Sequence, residues 1–160
     1  MKKFIAAVLA CSLLLCTCIS CGRANYSAQK MINSKLGLYF GDVNMARDVR
    51  YNIVGGDTAQ MKFMLDDAYC TARIQSTFSF TDISGRRTDW GGGEDVFVGG
   101  CSGKIMYGAD ARSARNLTLC LWYDPAPGLM YSLCITSDCT VQPDAVAVAD
   151  QIYIPMQGEC

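Results

Sequence analysis

The chain has 160 residues, of which 51% are hydrophobic, and its 14 basic and 15 acidic residues leave a formal net charge of −1. This length suits one domain with a real core, and the charge balance excludes the basic footprint of a nucleic-acid-binding protein. The chain contains no histidine. It therefore cannot supply a Ser-His-Asp triad, a Cys-His pair, an H-E-x-x-H zinc site or a histidine general base.

The first residues are typical of an export signal. Lys2 and Lys3 are followed by an apolar stretch whose strongly hydrophobic part ends near Leu15. This stretch is shorter than the roughly 20 residues of a membrane-spanning helix. The pattern favours a signal peptide over a permanent signal anchor.

Two processing sites compete at the end of this leader. Residues 18–22 read CISCG, and this run resembles the lipobox of bacterial lipoprotein signal peptides. The resemblance covers residues 1–22 and implies removal of residues 1–20 and lipidation of Cys21. A cut by an ordinary signal peptidase before Asn25 is the alternative, because Gly22 and Ala24 are small residues with suitable spacing.

Six cysteines follow the leader: Cys70, Cys101, Cys120, Cys134, Cys139 and Cys160. An even number of cysteines in an exported chain predicts three disulfides. Cys120 and Cys134 lie nearly opposite each other in a predicted hairpin, so they either bond or flank a common neighbour, and a Cys139–Cys160 bridge would hold the C-terminal strand. No pair among these six has C-x-x-C spacing, so we predict no metal site and no cofactor.

The first half of the chain has a helical pattern. An early helix is predicted over residues 26–40. Asp57 to Gln60 resembles a capping box and predicts that a second helix begins there. Apolar residues then recur at three- and four-residue steps as far as Ile74, which predicts a mostly buried helix: Met61, Met64, Leu65, Ala68 and Ala72.

The second half has the two-residue alternation of strands. Short strands are predicted around Phe78 and Phe80, over 96–98 and over 151–154. Residues 116–123 and 129–136 predict a β-hairpin whose turn contains Pro and Gly. Helices followed by strands indicate an α+β fold with an N-terminal helical segment packed on an antiparallel sheet. Residues 21–160 are expected to form this single disulfide-stabilised domain.

The strongest candidate for ligand binding is the segment 89–95. Asp89, Trp90, Glu94 and Asp95 place three carboxylates and an indole around three glycines, which permit unusual backbone angles. A carboxylate pair beside an aromatic ring suits glycoside hydrolysis, and clustered oxygens suit Ca²⁺. A solvated connection whose Trp packs over the end of the sheet is the structural alternative. No catalytic residue is assigned.

These features predict an exported, lipid-anchored, non-enzymatic protein of the cell envelope or surface with a binding or assembly role. Its expected partners are an unknown protein or small ligand at the envelope and the membrane itself, through the lipid anchor, but not nucleic acid. A periplasmic or cell-surface location is expected, or secretion if the lipid is absent. The alternatives are a glycosidase-like, carboxylate-dependent secreted hydrolase that uses segment 89–95, and a subunit of an extracellular filament.

Overall fold

The computed structural model describes residues 26–110, 113, 115–138 and 142–155. Within them it contains one antiparallel sheet of seven strands with the order β1-β2-β3-β7-β6-β5-β4, together with two helices. The predicted α+β class is confirmed. The elements are α1 (26–36), β1 (Arg47–Val54), β2 (Thr58–Leu65), β3 (Ala68–Ser76), β4 (Gly93–Val98), β5 (Cys101–Ala109), β6 (Asn116–Asp124), β7 (Leu129–Ser137) and α2 (Ala145–Ile152).

The path of the chain joins two meanders in the middle of the sheet. Strands β1 to β3 form the first meander, and the crossover segment 77–92 then leads to β4 at the far edge. Strands β4 to β7 return toward the centre, where β7 pairs with β3 in antiparallel register. Strands β1 and β4 are therefore the two edges of the sheet.

The two faces of the sheet are covered differently. Face A, which bears the larger core, is covered by α1, by the segment 37–43 and by α2. Face B bears a smaller core over β6 and β7, where Ile83 of the crossover packs. The crossover reaches Arg73 of β3, whose guanidinium lies against Gly85. The main side chains of the face A core are Ile32, Phe40, Met61, Phe63, Ile74, Trp122, Tyr131, Leu133, Ile135, Val148 and Ile152, and those under the crossover are Leu117, Leu119, Leu121, Met130 and Cys134.

The early helix is confirmed over residues 26–36. It ends at Gly37, whose φ of +67° suits a glycine cap and whose N–H donates to the carbonyl of Asn33 over 2.8 Å. The predicted strand over 151–154 is wrong, because α2 runs through residue 152. The Asp144 carboxylate caps α2 by accepting from the N–H groups of Val146 and Ala147. No helix in the described ranges is long and apolar enough to cross a membrane.

The predicted helix from residue 57 to residue 74 is wrong. Strands β2 and β3 form a hairpin there, and its turn contains Asp66 with a φ of +51°. Ala59, Met61 and Phe63 are all buried on face A, which is the two-residue alternation of a strand. The Asp57 carboxylate bonds the Thr58 hydroxyl (2.9 Å) and the amide of Gln75 (2.8 Å) instead of capping a helix.

The remaining strand predictions have mixed outcomes. The hairpin of β6 and β7 is confirmed, as is a strand that contains residues 96–98. The strand predicted around Phe78 and Phe80 is wrong, because this part of the chain has left the sheet and the Phe78 side chain is fully exposed (104%). Once the chain has left β3, these residues have no neighbouring strand with which to pair.

The described cysteines form no disulfides. Cys70, Cys101, Cys120 and Cys134 are all free, so the predicted disulfide framework is wrong for these four. Cys120 pairs with Leu133, and Cys134 with Leu119. The two cysteines are thus offset by one residue, and their thiols point to opposite faces of the sheet. The predicted Cys139–Cys160 bridge lies outside the described residues.

Candidate ligand-binding face

The structure separates the residues of the predicted site. Strand β4 begins at Gly93, so Glu94 and Asp95 lie in a strand, where they pair with Ile105 and Lys104 respectively. Adjacent side chains of a strand point to opposite faces. Glu94 and Asp95 therefore do not form the carboxylate pair that glycoside hydrolysis requires.

The other two predicted residues belong to the crossover. The Trp90 indole packs against the face B core, so close to Gly108 that a Cβ atom there would lie 3.1 Å from Cε3 of the indole. Asp89 lines a shallow depression with Arg87, Thr88 and Ala109. The Trp90 ring thus packs on face B beside β5 rather than over the end of the sheet. Ligand binding by these residues stays a prediction.

A different surface brings more polar chemistry together. Beyond the reach of the crossover, the outer part of face B contains a depression of about 620 Å³, which we call the β1–β3 shelf. It lies along β1 and β2 and reaches Tyr69 at the start of β3; Arg50, Asn52, Lys62 and Met64 occupy alternating positions of these strands, whereas Tyr51 and Phe63 belong to the face A core. The lining residues are Asp48, Arg50, Tyr51, Asn52, Lys62, Phe63, Met64 and Tyr69.

A chain of hydrogen bonds leads from Asn52, which lines the shelf, to the crossover. The amide of Gln60 donates to Oδ1 of Asn52 (2.8 Å), and Nε of Arg73 donates to Oε1 of Gln60 (2.9 Å). Nη1 of Arg73 also donates to the carbonyl of Ile83 in the crossover (3.1 Å). Burial and the nearby charge of Arg86 lower the pKa of Arg73. These bonds hold Asn52 in a fixed position before any ligand arrives.

Two cations lie side by side on the shelf. Arg50 and Lys62 are direct partners in the register of β1 and β2, and like charges at such positions are about 5 Å apart at Cβ and repel each other. Neither belongs to an ion pair formed between described residues, which are Arg86–Asp110 and Arg115–Asp138. Asp48, in the irregular part of β1, is the one acidic residue of the lining.

The shelf also offers apolar surface beside the cations. Met64 is partly buried, and the Tyr69 ring is 38% exposed at the register position opposite Met64. A cationic pair next to an exposed ring can bind an anionic group that is attached to a larger body. The alternation of Arg50 and Asn52 with Tyr51 and Ile53 is the sequence signal for this face, but the helix predicted for this half of the chain obscured it.

A second cluster of titratable groups joins α2 to the sheet. The Tyr153 hydroxyl donates to Oδ2 of Asp124 (2.7 Å) and lies 3.5 Å from the Cys101 sulfur. Oδ1 of Asp124 accepts from the N–H of Ala126 (3.1 Å). Burial, together with these contacts, raises the pKa of Tyr153. The carboxylate and hydroxyl are occupied by one another, so the arrangement is a structural connection.

Comparison with known proteins gives no further guide to the site. The chain matches no protein-family model, no curated protein and no solved structure.

Proposed function

We propose that this protein is an exported, lipid-anchored, non-enzymatic module of the cell envelope that binds an anionic ligand on the β1–β3 shelf. The leader supports export and anchoring, because residues 18–22 resemble a lipobox and Cys21 is the residue that such a signal would lipidate. The binding role is carried by one observation, the pairing of Arg50 with Lys62 on an uncovered part of the sheet.

The pairing of Arg50 with Lys62 indicates that the ligand carries an anionic group. Two like charges held opposite each other destabilise a sheet slightly, whereas an oxyanion between them accepts a charge-assisted hydrogen bond from each. Arg50 supplies a planar fork of donors, and Lys62 a compact charge on a flexible stem. Phosphate and carboxylate groups both fit this chemistry.

The surroundings indicate that the anion belongs to a larger molecule. The exposed ring of Tyr69 and the thioether of Met64 lie along the same depression as the cations, so a ligand body can pack on them while its charged group meets Arg50 and Lys62. Asn52, which also lines the depression, accepts a hydrogen bond from Gln60 and so does not have to rearrange on binding.

Thermal unfolding with added inorganic phosphate tests the binding role. The processed protein, purified from host membranes in mild detergent, should unfold about 5 °C higher when phosphate is present at about ten times its Kd. The double variant Arg50→Gln/Lys62→Gln should lose this response. Without phosphate it should be at least as stable as the wild type, because the repulsion between the two cations is gone.

Two exposed lysines of α1 provide the matched control. The variant Lys30→Gln/Lys35→Gln removes the same net charge from a different surface and should keep the full response to phosphate. Equal loss of the response in both double variants would show that phosphate acts through overall charge. That result, or no response in the wild type, would contradict binding at the shelf.

A further inference from the structure

We infer that the side of α1 that carries Tyr26 and Lys30, together with Tyr39, rests on the headgroup layer of the membrane. We call these three residues the membrane-facing patch. The inference rests on the lipid anchor of the proposed function and adds an orientation to it: the domain meets the bilayer through α1, on the side of the sheet away from the β1–β3 shelf.

The length of the chain before α1 limits how far this helix can lie from the lipid. Tyr26 is five positions after Cys21, and an extended chain spans at most about 3.6 Å per residue. Tyr26 is therefore within about 18 Å of the residue that would carry the acyl chains. The start of α1 cannot be far from the headgroup layer if Cys21 is lipidated.

The exposed side chains of this region suit a membrane interface. The side chains of Tyr26 and Tyr39 are 72% and 49% exposed. They line a depression of about 380 Å³ with Gln29, Lys30 and Asn33. Tyrosine is favoured at membrane interfaces because its ring is apolar and its hydroxyl is polar. In the absence of a membrane, both rings would remain largely in water.

A hydrogen bond holds the two parts of the patch together. The amide of Gln29, on α1, donates to the carbonyl of Phe40 over 2.8 Å. The residue before Phe40 is Tyr39, so the bond fixes the position of its backbone relative to α1. Ile32 and Phe40 are buried in the face A core. The patch is therefore attached to the domain as one rigid surface.

The charge of α1 complements an anionic membrane. Residues 26–36 include Lys30 and Lys35 and no acidic residue, although the whole chain has a net charge of −1. Both lysines are exposed. Each lysine near an anionic bilayer strengthens binding about fivefold, so α1 should prefer bilayers that contain anionic phospholipid.

Tryptophan quenching by brominated lipid tests the orientation. The lipidated protein is reconstituted into vesicles of phosphatidylethanolamine and phosphatidylglycerol with brominated acyl chains. Three single variants are compared after subtraction of the wild-type signal: Tyr26→Trp, Tyr39→Trp and Phe97→Trp. Phe97 is the matched control, because it is 69% exposed but lies on face B, opposite the helices.

The inference predicts strong quenching at positions 26 and 39 and almost none at position 97. Replacing Lys30 and Lys35 by Gln should reduce the quenching at both patch positions. Similar quenching at all three positions, or none at 26 and 39 in protein that carries acyl chains, would overturn the orientation while leaving the anchor intact. Absence of acyl chains from the native protein would instead overturn the anchor, and the inference with it.

Discussion

The hydroxyl of Tyr153, the residue that follows α2, donates a 2.7 Å hydrogen bond to the carboxylate of Asp124, the last residue of β6. Asp124 is buried, and the Tyr153 ring packs edge-on against Tyr131 with 5.6 Å between ring centroids. Because Ala145, Val148, Ala149 and Ile152 are buried in the face A core, this bond fixes the end of a helix that packs over β4, β6 and β7.

Removal of the Tyr153 hydroxyl should therefore destabilise the fold. Tyr153→Phe leaves one oxygen of a buried carboxylate without its donor, which costs about 1–3 kcal/mol. Urea unfolding measures the loss. Tyr123→Phe is the control, since its hydroxyl makes only a long 3.3 Å bond to the carbonyl of Thr77, and it should cost less than about 1 kcal/mol. Equal losses in the two variants would show that the bond to Asp124 has no special role.

The absence of disulfides among the four described cysteines predicts how many thiols an alkylating reagent can label. Four of the six cysteines after the leader are free, so alkylation of unfolded, unreduced protein should label at least four sites. In the folded protein Cys101 should react first, because it is half-buried while Cys70, Cys120 and Cys134 are buried. Mass spectrometry counts the labels. A protein that accepts no label until it is reduced would contradict this arrangement.

Buried thiols also predict a loss of stability at alkaline pH. Burial raises the pKa of Cys70 and of Cys120 from 9.0 to about 12. Above about pH 9 the unfolded chain releases these protons while the folded protein keeps them. The free energy of unfolding should fall by about 1.4 kcal/mol per pH unit for each thiol between pH 9 and about 12.

Cysteine variants test this slope. The variant Cys70→Ala/Cys120→Ala should be less stable at neutral pH, because it leaves cavities, but its stability should decline less steeply from about pH 9. Denaturant unfolding at several pH values gives both slopes. Burial also raises the pKa of Tyr131, which adds a further decline above about pH 10 in both proteins. Parallel curves for the two proteins would contradict the role of the thiols.

Gly41, in the segment before β1, packs too closely against α2 to be replaced by a residue with a side chain. Its N–H donates to the carbonyl of Ile152 (2.8 Å), and a Cβ atom at this position would overlap the carbonyl oxygen of Gln151. Gly41→Ala should cost about 1–3 kcal/mol in the free energy of unfolding. Gly92→Ala is the control, because nothing lies within 4 Å of a Cβ atom there. An equal effect at both glycines would mean that close packing at Gly41 is unimportant.

Secondary structure is predicted best where the spacing of apolar residues fits only one kind of element. Strands β6 and β7 are rich in aromatic and aliphatic residues on both sides of a Pro- and Gly-containing turn, and the predicted hairpin is confirmed, although Cys120 and Cys134 are offset by one residue. In β2 and β3, apolar residues occur both at alternate positions and at helical steps, so the pattern fits two structures. Pairing with β1 and β7 decides between them, and these contacts are not visible in local sequence.

The β1–β3 shelf was not predicted from the sequence, because it depends on strand pairing that local sequence does not show. Arg50 and Lys62 are adjacent only because β1 and β2 pair in a particular register, and both residues lie in a half of the chain predicted to be helical. Conversely, Glu94 and Asp95 look like a carboxylate pair in the sequence. Both residues lie in β4, and adjacent side chains of a strand point to opposite faces.

The intact mass of the protein from its native host tests the proposed anchor most directly. The proposal predicts a chain that begins at Cys21, carries acyl groups and is found in the membrane fraction. The Cys21→Ala variant should lack the acyl mass and leave that fraction. An unmodified chain that still begins with Met1 and is recovered from the cytosol would contradict the proposal.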